Sequence, residues 1–339
     1  MKKLFVIFLM IGFLVSLTAS AGNVFAQQKI KLMVSAFPTN FSYYPPTIAI
    51  NDLVMRHTNL DITIQSMGGS QAMPGPVEKG KADLLGPLTV TTMGAAFLGV
   101  GDFSGNPHPS LRFLMVIGEL PQAYMTTAAS GITDLSGLKG RKVGKGLTMS
   151  QDMPEAILRA YGLDLEKDIR WSKYGGTNDM YKDLALGRID AFFDSIVGAK
   201  MIQLKEQARG DIALLSIGKA EWEKAAAADP QAFIGAYHKF FPLKRIPAVS
   251  RPDPVGCTIK PMGIGVSKNL SEDIVYTYVK TIMDNLEAVQ KSNARLKGFS
   301  ADIAVPLPAF PYHDGAVKVY REMGLWTAAH QTAQAKLLK

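Results

Sequence analysis

From residue 27 onward, short apolar runs alternate with amphipathic stretches, a rhythm that predicts strands alternating with helices. Residues 29–35 (KIKLMVS) read as a strand, and 44–56 as a helix with Ile48, Leu53 and Met55 among its apolar positions. Residues 61–66 (DITIQS) alternate like a strand, Gly68-Gly69-Ser70 turns the chain, and 73–79 can start a helix. A second apolar run, 82–88, ends in Thr89, Thr91 and Thr92. The same series begins again at 141–144. Met153, Ala156, Ile157, Ala160 and Tyr161 then share one helical face, and Gly162 ends that helix. A strand over 168–173, a helix over 177–186 closed by Gly187, and a strand over 189–194 (IDAFFD) follow.

Pro242, Pro247, Pro252 and Pro254 crowd the next stretch. Proline fixes φ and donates nothing to a ladder, so an extended crossover is expected there, acting as a hinge. Beyond it, 261–267 read as a strand. Ser271 caps a helix carrying Glu272 and Asp273 in its first turn and an apolar stripe from Val275 to Val289. A last helix starts near Gly315. Two α/β lobes joined by extended connections account for this order.

The N-terminus adds a location. Lys2 and Lys3 precede an apolar run over 4–15, and Val24-Phe25-Ala26 offers a small-x-small cleavage point. This is the order of a secretory signal peptide, and the run is shorter than the roughly 18 residues that span a bilayer. Residues 1–26 are therefore expected to be removed and the mature protein to be soluble in the periplasm. The alternative is an uncleaved membrane anchor. The chain has 37 basic and 29 acidic residues, a net charge of +8 that falls to +6 without Lys2 and Lys3. That mild excess suits anionic small molecules. The densest basic stretch, 139–145 (KGRKVGK), has no interleaved aromatics and reads as a solvated turn, so no nucleic-acid partner is expected. The single cysteine, Cys257, sits among apolar residues and is expected to be buried and inert.

Catalytic and cofactor signatures are missing. There is no HExxH, the five histidines lack ligand spacing, Gly68-Gly69-Ser70-Gln71-Ala72 lacks the second glycine of a nucleophile elbow, and 140–145 are too short for a P-loop. No metal, cofactor or catalytic residue is expected. What recurs is a polar loop after a strand and before a helix: Ser70-Gln71, Thr89 with Thr91, Thr148-Met149-Ser150-Gln151, and Asp194-Ser195. Each could simply cap its helix. Four of them in a two-lobed exported chain suggest a ligand cleft, because open α/β sheets bind ligands beyond the carboxyl ends of their strands.

Several segments resemble the solute-binding proteins of TRAP transporters, specifically the TAXI class. These are 67–83; 132–146 (ITDLSGLKGRKVGKG); 184–194 (LALGRIDAFFD); and 312–325 (YHDGAVKVYREMGL). The resemblance implies a two-lobed periplasmic binding protein, a type II clamshell with a hinge between lobes. Lobe 1 would be 27–128 plus 255–339, and lobe 2 would be 129–254, ending in the proline-rich crossover. It implies a receptor, not an enzyme, that hands its solute to TRAP permease membrane subunits. Two departures stand out. Residues 35–42 (SAFPTNFS) carry Phe37 and Phe41 where the family has small residues, and Leu147, Met149 and Gln151 replace two glycines and an acid. A bulkier or more apolar organic acid than glutamate is one consequence.

The expected site takes a solute carboxylate on Thr148 and Ser150, on Gln151 at the start of the following helix, and on Lys145 as a full charge. Tyr43 and Tyr44 close it from the other lobe, with Ser70, Gln71, Thr89 and Asp194 lining it. The alternative within binding proteins is a receptor for an ABC importer, which shares the clamshell. The alternative from another class is an exported enzyme on the same fold.

Overall fold

The computed structural model describes residues 28–39, 41–146, 150–197, 199–208, 212–243 and 253–339. Among these, ten strands form one twisted sheet: β1 (Ile30–Ala36), β2 (Leu60–Ser66), β3 (Leu84–Thr89), β4 (Leu111–Thr127), β5 (Lys142–Gly146), β6 (Arg170–Tyr174), β7 (Ala191–Ser195), β8 (Ile212–Leu215), β9 (Tyr237–Phe241) and β10 (Val255–Ser267). The order is β2-β1-β3-β10-β4-β7-β5-β6, with β8 on β4 and β9 on β10. The helices are α1 (Tyr44–His57), α2 (Pro74–Glu78), α3 (Val90–Leu98), α4 (Asp152–Ala160), α5 (Thr177–Ala185), α6 (Ala199–Gln207) and α7 (Lys219–Ala228), then α8 (Glu272–Asp284), α9 (Leu286–Ser292), α10 (Ala301–Ala304), α11 (Asp314–Glu322) and α12 (Ala328–Leu337).

Most expected elements are present within a residue or two. Gly162 (φ +83°) and Gly187 (φ +66°) end their helices in the left-handed region, and Ser271 accepts from the Ile274 N–H as a cap. Three strands were not expected, β4, β8 and β9, and β4 is the longest strand of the sheet among the described residues. β4 runs 17 residues through Gly118, Glu119 and Pro121, which read as breaks in a sequence but are carried here by pairing with β10.

β4 and β10 divide the sheet into two halves. Their lobe 1 portions, 111–118 and 262–267, complete β2-β1-β3. Beyond Gln122, β4 leaves β10 and pairs with β7 and β8 instead. Each half has its own core. Lobe 1 buries Leu53, Phe113, Phe310, Tyr312 and Tyr320 under α1, α8 and α11. In lobe 2 the alternation of β4 splits the core across the sheet: Tyr124 faces Ile157 of α4, while Ala123 and Met125 face Met180 and Leu184 of α5.

The stretch 242–254, expected as the hinge, instead joins β9 to the start of β10, with Phe241 opposite Val255. That is the end of β10 away from lobe 1. Residues 244–252 lie outside the described residues. The crossing between halves is made by β4 and β10 themselves, where Pro121 faces Ile259 and Pro261 faces Glu119. Two prolines remove ladder hydrogen bonds where the sheet passes between cores, which is where bending is cheapest.

Candidate functional site

Strand direction alone makes a cleft. β3 is antiparallel to β10, β10 is antiparallel to β4, and β4 is antiparallel to β7. The carboxyl ends of β3 and β7 therefore point at each other. Thr89 of β3 stands opposite Met262, which faces Gly118, and Ser195 of β7 stands opposite Gln122. The stretch of β4 between Gly118 and Gln122 corresponds to about 13 Å of strand. β1 and β2 are parallel to β3, and β5 and β6 are parallel to β7, so all their following loops share the two facing edges.

On the lobe 1 edge, Tyr43 precedes α1 and is only 4% exposed. The Arg295 guanidinium lies 5.1 Å from its ring centroid. Burial raises the Tyr43 phenol above its ordinary range; Arg295 opposes this and Glu119 adds to it. Tyr44, half-buried, opens α1 and packs on the lobe 1 core. Ser70 and Gln71 sit in a one-turn helix after β2, two strands further from the crossing. Thr89 caps α3, accepting from the Thr92 N–H, and its hydroxyl shares a 2.8 Å hydrogen bond with Thr92 Oγ1. The neighbouring Thr91 Oγ1 is buried with no partner among the described residues.

On the lobe 2 edge, α4 starts at Asp152, and no side chain caps it. Ser150 donates to Asp152 Oδ2 at 3.4 Å instead of capping. Gln151 Nε2 donates to the Ser150 carbonyl at 3.4 Å. Thr148 lies outside the described residues. Lys145 does not stand free: it pairs with Glu155, and its Nζ lies 5.4 Å from the Trp171 ring centroid. Its charge is matched inside lobe 2. Asp194, at the end of β7, is 9% exposed and accepts from the Ser195 N–H at 2.7 Å; the Tyr181 hydroxyl donates to the Ser195 carbonyl.

The floor carries residues that the sequence reading did not single out. Lys260 of β10 faces Leu120 across the ladder, with Thr258 opposite Gln122 beside it. Burial pushes the Lys260 ammonium down to about 8, against the opposing pull of Asp194, Asp152 and Asp102. Gln122 is 3% exposed, and its Oε1 has no partner among the described residues. Trp222 donates to Thr258 Oγ1 at 2.9 Å. The two lobes touch beside this floor. A side chain on Gly101 (φ +56°) would start 3.1 Å from Asp152 Oδ2, and one on Gly94 would collide with Ile234. Burial raises the Asp152 carboxyl, with Asp102 and Asp229 adding to the rise.

The structure thus brings Tyr43, Tyr44, Ser70, Gln71 and Thr89 to one edge and Ser150, Gln151 and Asp194 to the other. The sequence profile of the NMT1-like family matches residues 36–324. The chain belongs to the NMT1-like family. The match spans both edges of the cleft and both crossing strands. Among solved structures, the probable amino-acid ABC transporter extracellular-binding protein ytmK from Bacillus subtilis is similar at 12% identity, with 80% of this chain and 99% of that chain covered and a TM-score of 0.50. Lactococcus lactis GlnP substrate binding domain 2, in an open conformation, is similar at 12% identity over 80% of this chain and 95% of that one, with a TM-score of 0.44. The Bacillus likeness shows the fold of this NMT1-like chain: a two-lobed periplasmic binding protein with a mixed α/β sheet. No curated protein matches the sequence.

Proposed function

We propose that the chain is an exported receptor that captures a small organic acid between its lobes and delivers it to a membrane transporter. The observation that carries this reading is the opposition of two polar strand ends across a gap floored by Lys260. In an open α/β sheet that is where ligands bind, and a receptor built this way closes by bending its crossing strands. Tyr43, Thr89 and Thr91 would meet the solute from lobe 1, and Ser150, Gln151 and Asp194 from lobe 2. The signal-like 1–26 segment supports export, with the protein working outside the cytoplasmic membrane.

Charge narrows the solute. Asp194, Asp152 and Asp102 face one lysine, so an acid that also carries a basic group balances the gap better than a bare dicarboxylate. Amino acids are of this kind, and the Bacillus subtilis protein is named for an amino-acid ABC transporter. That name gives an ABC importer first place as the receiving transporter. The second reading is a TRAP permease of the TAXI class, supported by the ordered segments 67–83, 132–146, 184–194 and 312–325. A gene for an ATPase beside this one supports the first, and a large-and-small permease pair supports the second.

Native mass spectrometry of the protein taken gently from a periplasmic extract tests the reading. The expected spectrum is a chain lacking residues 1–26 with one small solute attached. A bare chain that gains no thermal stability from any of a panel of amino acids and organic acids would contradict it. Turnover of a solute that binds would favour the exported enzyme instead.

A further inference from the structure

The cations at the gap are held differently. Lys145 is paired with Glu155, and Lys260 is attracted by Asp194, Asp152 and Asp102. Arg295, half-buried, makes no ion pair within 4 Å among the described residues. It belongs to a one-turn helix, Ala294–Leu296, that follows α9 in lobe 1. Asn293 accepts from the Arg295 N–H at 2.9 Å, and the neighbouring Leu296 is buried in the lobe 1 core, so the backbone carrying the guanidinium is fixed. Gly118 places it: a methyl there would sit 3.5 Å from both the Arg295 carbonyl and the Tyr43 hydroxyl. Gly118 is the lobe 1 end of the β4 stretch that floors the gap, so Arg295 stands where the lobes face each other. Its guanidinium lies 5.1 Å from the ring centroid of the buried Tyr43. Glu119, the next residue of β4, is taken up by Lys239 at 2.8 Å and by the Tyr237 hydroxyl. Burial raises the phenols of Tyr43 in lobe 1 and Tyr181 in lobe 2, and the charge of Arg295 opposes the rise in both. One cation of lobe 1 thus acts on both sides of the gap.

We infer that Arg295 takes the carboxylate of the solute from the lobe 1 side of the gap. This rests on the receptor reading above, and it adds the residue that recognises the acid. A guanidinium is planar and offers two parallel N–H donors to a carboxylate, a fit that an ammonium lacks. The Tyr43 ring beside it limits its rotamers, so less freedom is lost when the solute arrives. Lys145, expected in this role, is occupied inside lobe 2, and the carboxylates around Lys260 repel a further anion there. The acid group of the solute therefore points at Arg295, and the acids around Lys260 are left to meet its basic group.

The test uses protein freed of solute by partial unfolding and dialysis. Its probes are the protein L-amino acids and the aliphatic carboxylic acids as sodium salts, each beside its primary amide. Wild type should gain thermal stability from at least one acid, and titration calorimetry should show that acid bound more tightly than its amide. Arg295→Gln should bind the acid roughly tenfold or more weakly and the amide as wild type does. Arg295→Lys, which keeps the charge without the fork, should fall between the two. Where the amide binds neither protein, this partial rescue by lysine carries the same distinction, and its absence overturns the inference. Equal affinity of wild type and Arg295→Gln for the acid overturns the inference and leaves the receptor reading standing. So does an equal loss for acid and amide, which would mean that Arg295 only supports Tyr43. If Arg295→Gln does not fold, Arg295→Lys decides alone: wild-type affinity for the acid overturns the inference, and weaker binding upholds it. A wild type that answers to no acid overturns the receptor reading, and this inference with it.

Discussion

Lys260 also makes a statement about stability. Its proton affinity in the fold, near 8, lies below the ordinary 10.5, so between those values the unfolded chain holds more protons than the native one. Stability therefore rises with pH across that window, and below it the full cost of holding this half-buried ammonium charged is present. Lys260→Met should unfold at higher urea than wild type at pH 7, with the advantage shrinking by pH 10. A less stable variant at pH 7 would show that the carboxylates outweigh the burial. Ser150 gives a second residue-scale test. Since it donates weakly to Asp152 and does not cap α4, Ser150→Ala should change stability by less than about 0.5 kcal/mol, where a lost cap costs about 1. Melting curves separate the two. Asp194 and Thr89 are candidates legible in the sequence because each ends a strand pattern with a polar side chain. The sequence hid Lys260, a single charge in an apolar strand, since only the register with β4 puts it on the floor of a gap. It did not show that Lys145 is paired, because its partner Glu155 is ten residues away on the next helix.

At the scale of elements, patterns with a local cause were legible and those with a distant cause were not. The helices closed by Gly162 and Gly187 follow from local signals. β4 does not: Gly118, Glu119 and Pro121 break its apolar pattern, and only its pairing with β10 and β7 holds it extended. The proline-rich 242–254 stretch is ambiguous for the same reason, since proline marks extended chain without saying what it joins, and residues 244–252 lie outside the described residues. One glycine in the family-like 312–325 segment has a plain packing reason. Gly315, in the first turn of α11, lets that helix lie against α8: a methyl there would come within 2.5 Å of the Glu272 carbonyl and 2.9 Å of the Tyr276 N–H. Both obstacles are backbone, so α11 must move. Gly315→Ala should cost about 1–3 kcal/mol, read as a lower denaturation midpoint with an unchanged slope. An unchanged midpoint would mean that the α8–α11 contact gives way freely.

At the scale of the molecule, two cores share one sheet, and among the described strands β4 and β10 run continuously from one core to the other. Bending there moves each core as a unit, because packed interiors resist deformation while a ladder interrupted by Pro121 and Pro261 does not. The two-lobed α/β architecture was legible from the repeated strand–helix series, whereas the solute was not, because the cleft chemistry comes from residues brought together by pairing. Small-angle scattering on the solute-free protein, before and after adding back the solute found in its native mass spectrum, tests the central claim most directly. A receptor that closes around its solute predicts a smaller radius of gyration at saturation. The same radius with and without bound solute would contradict it.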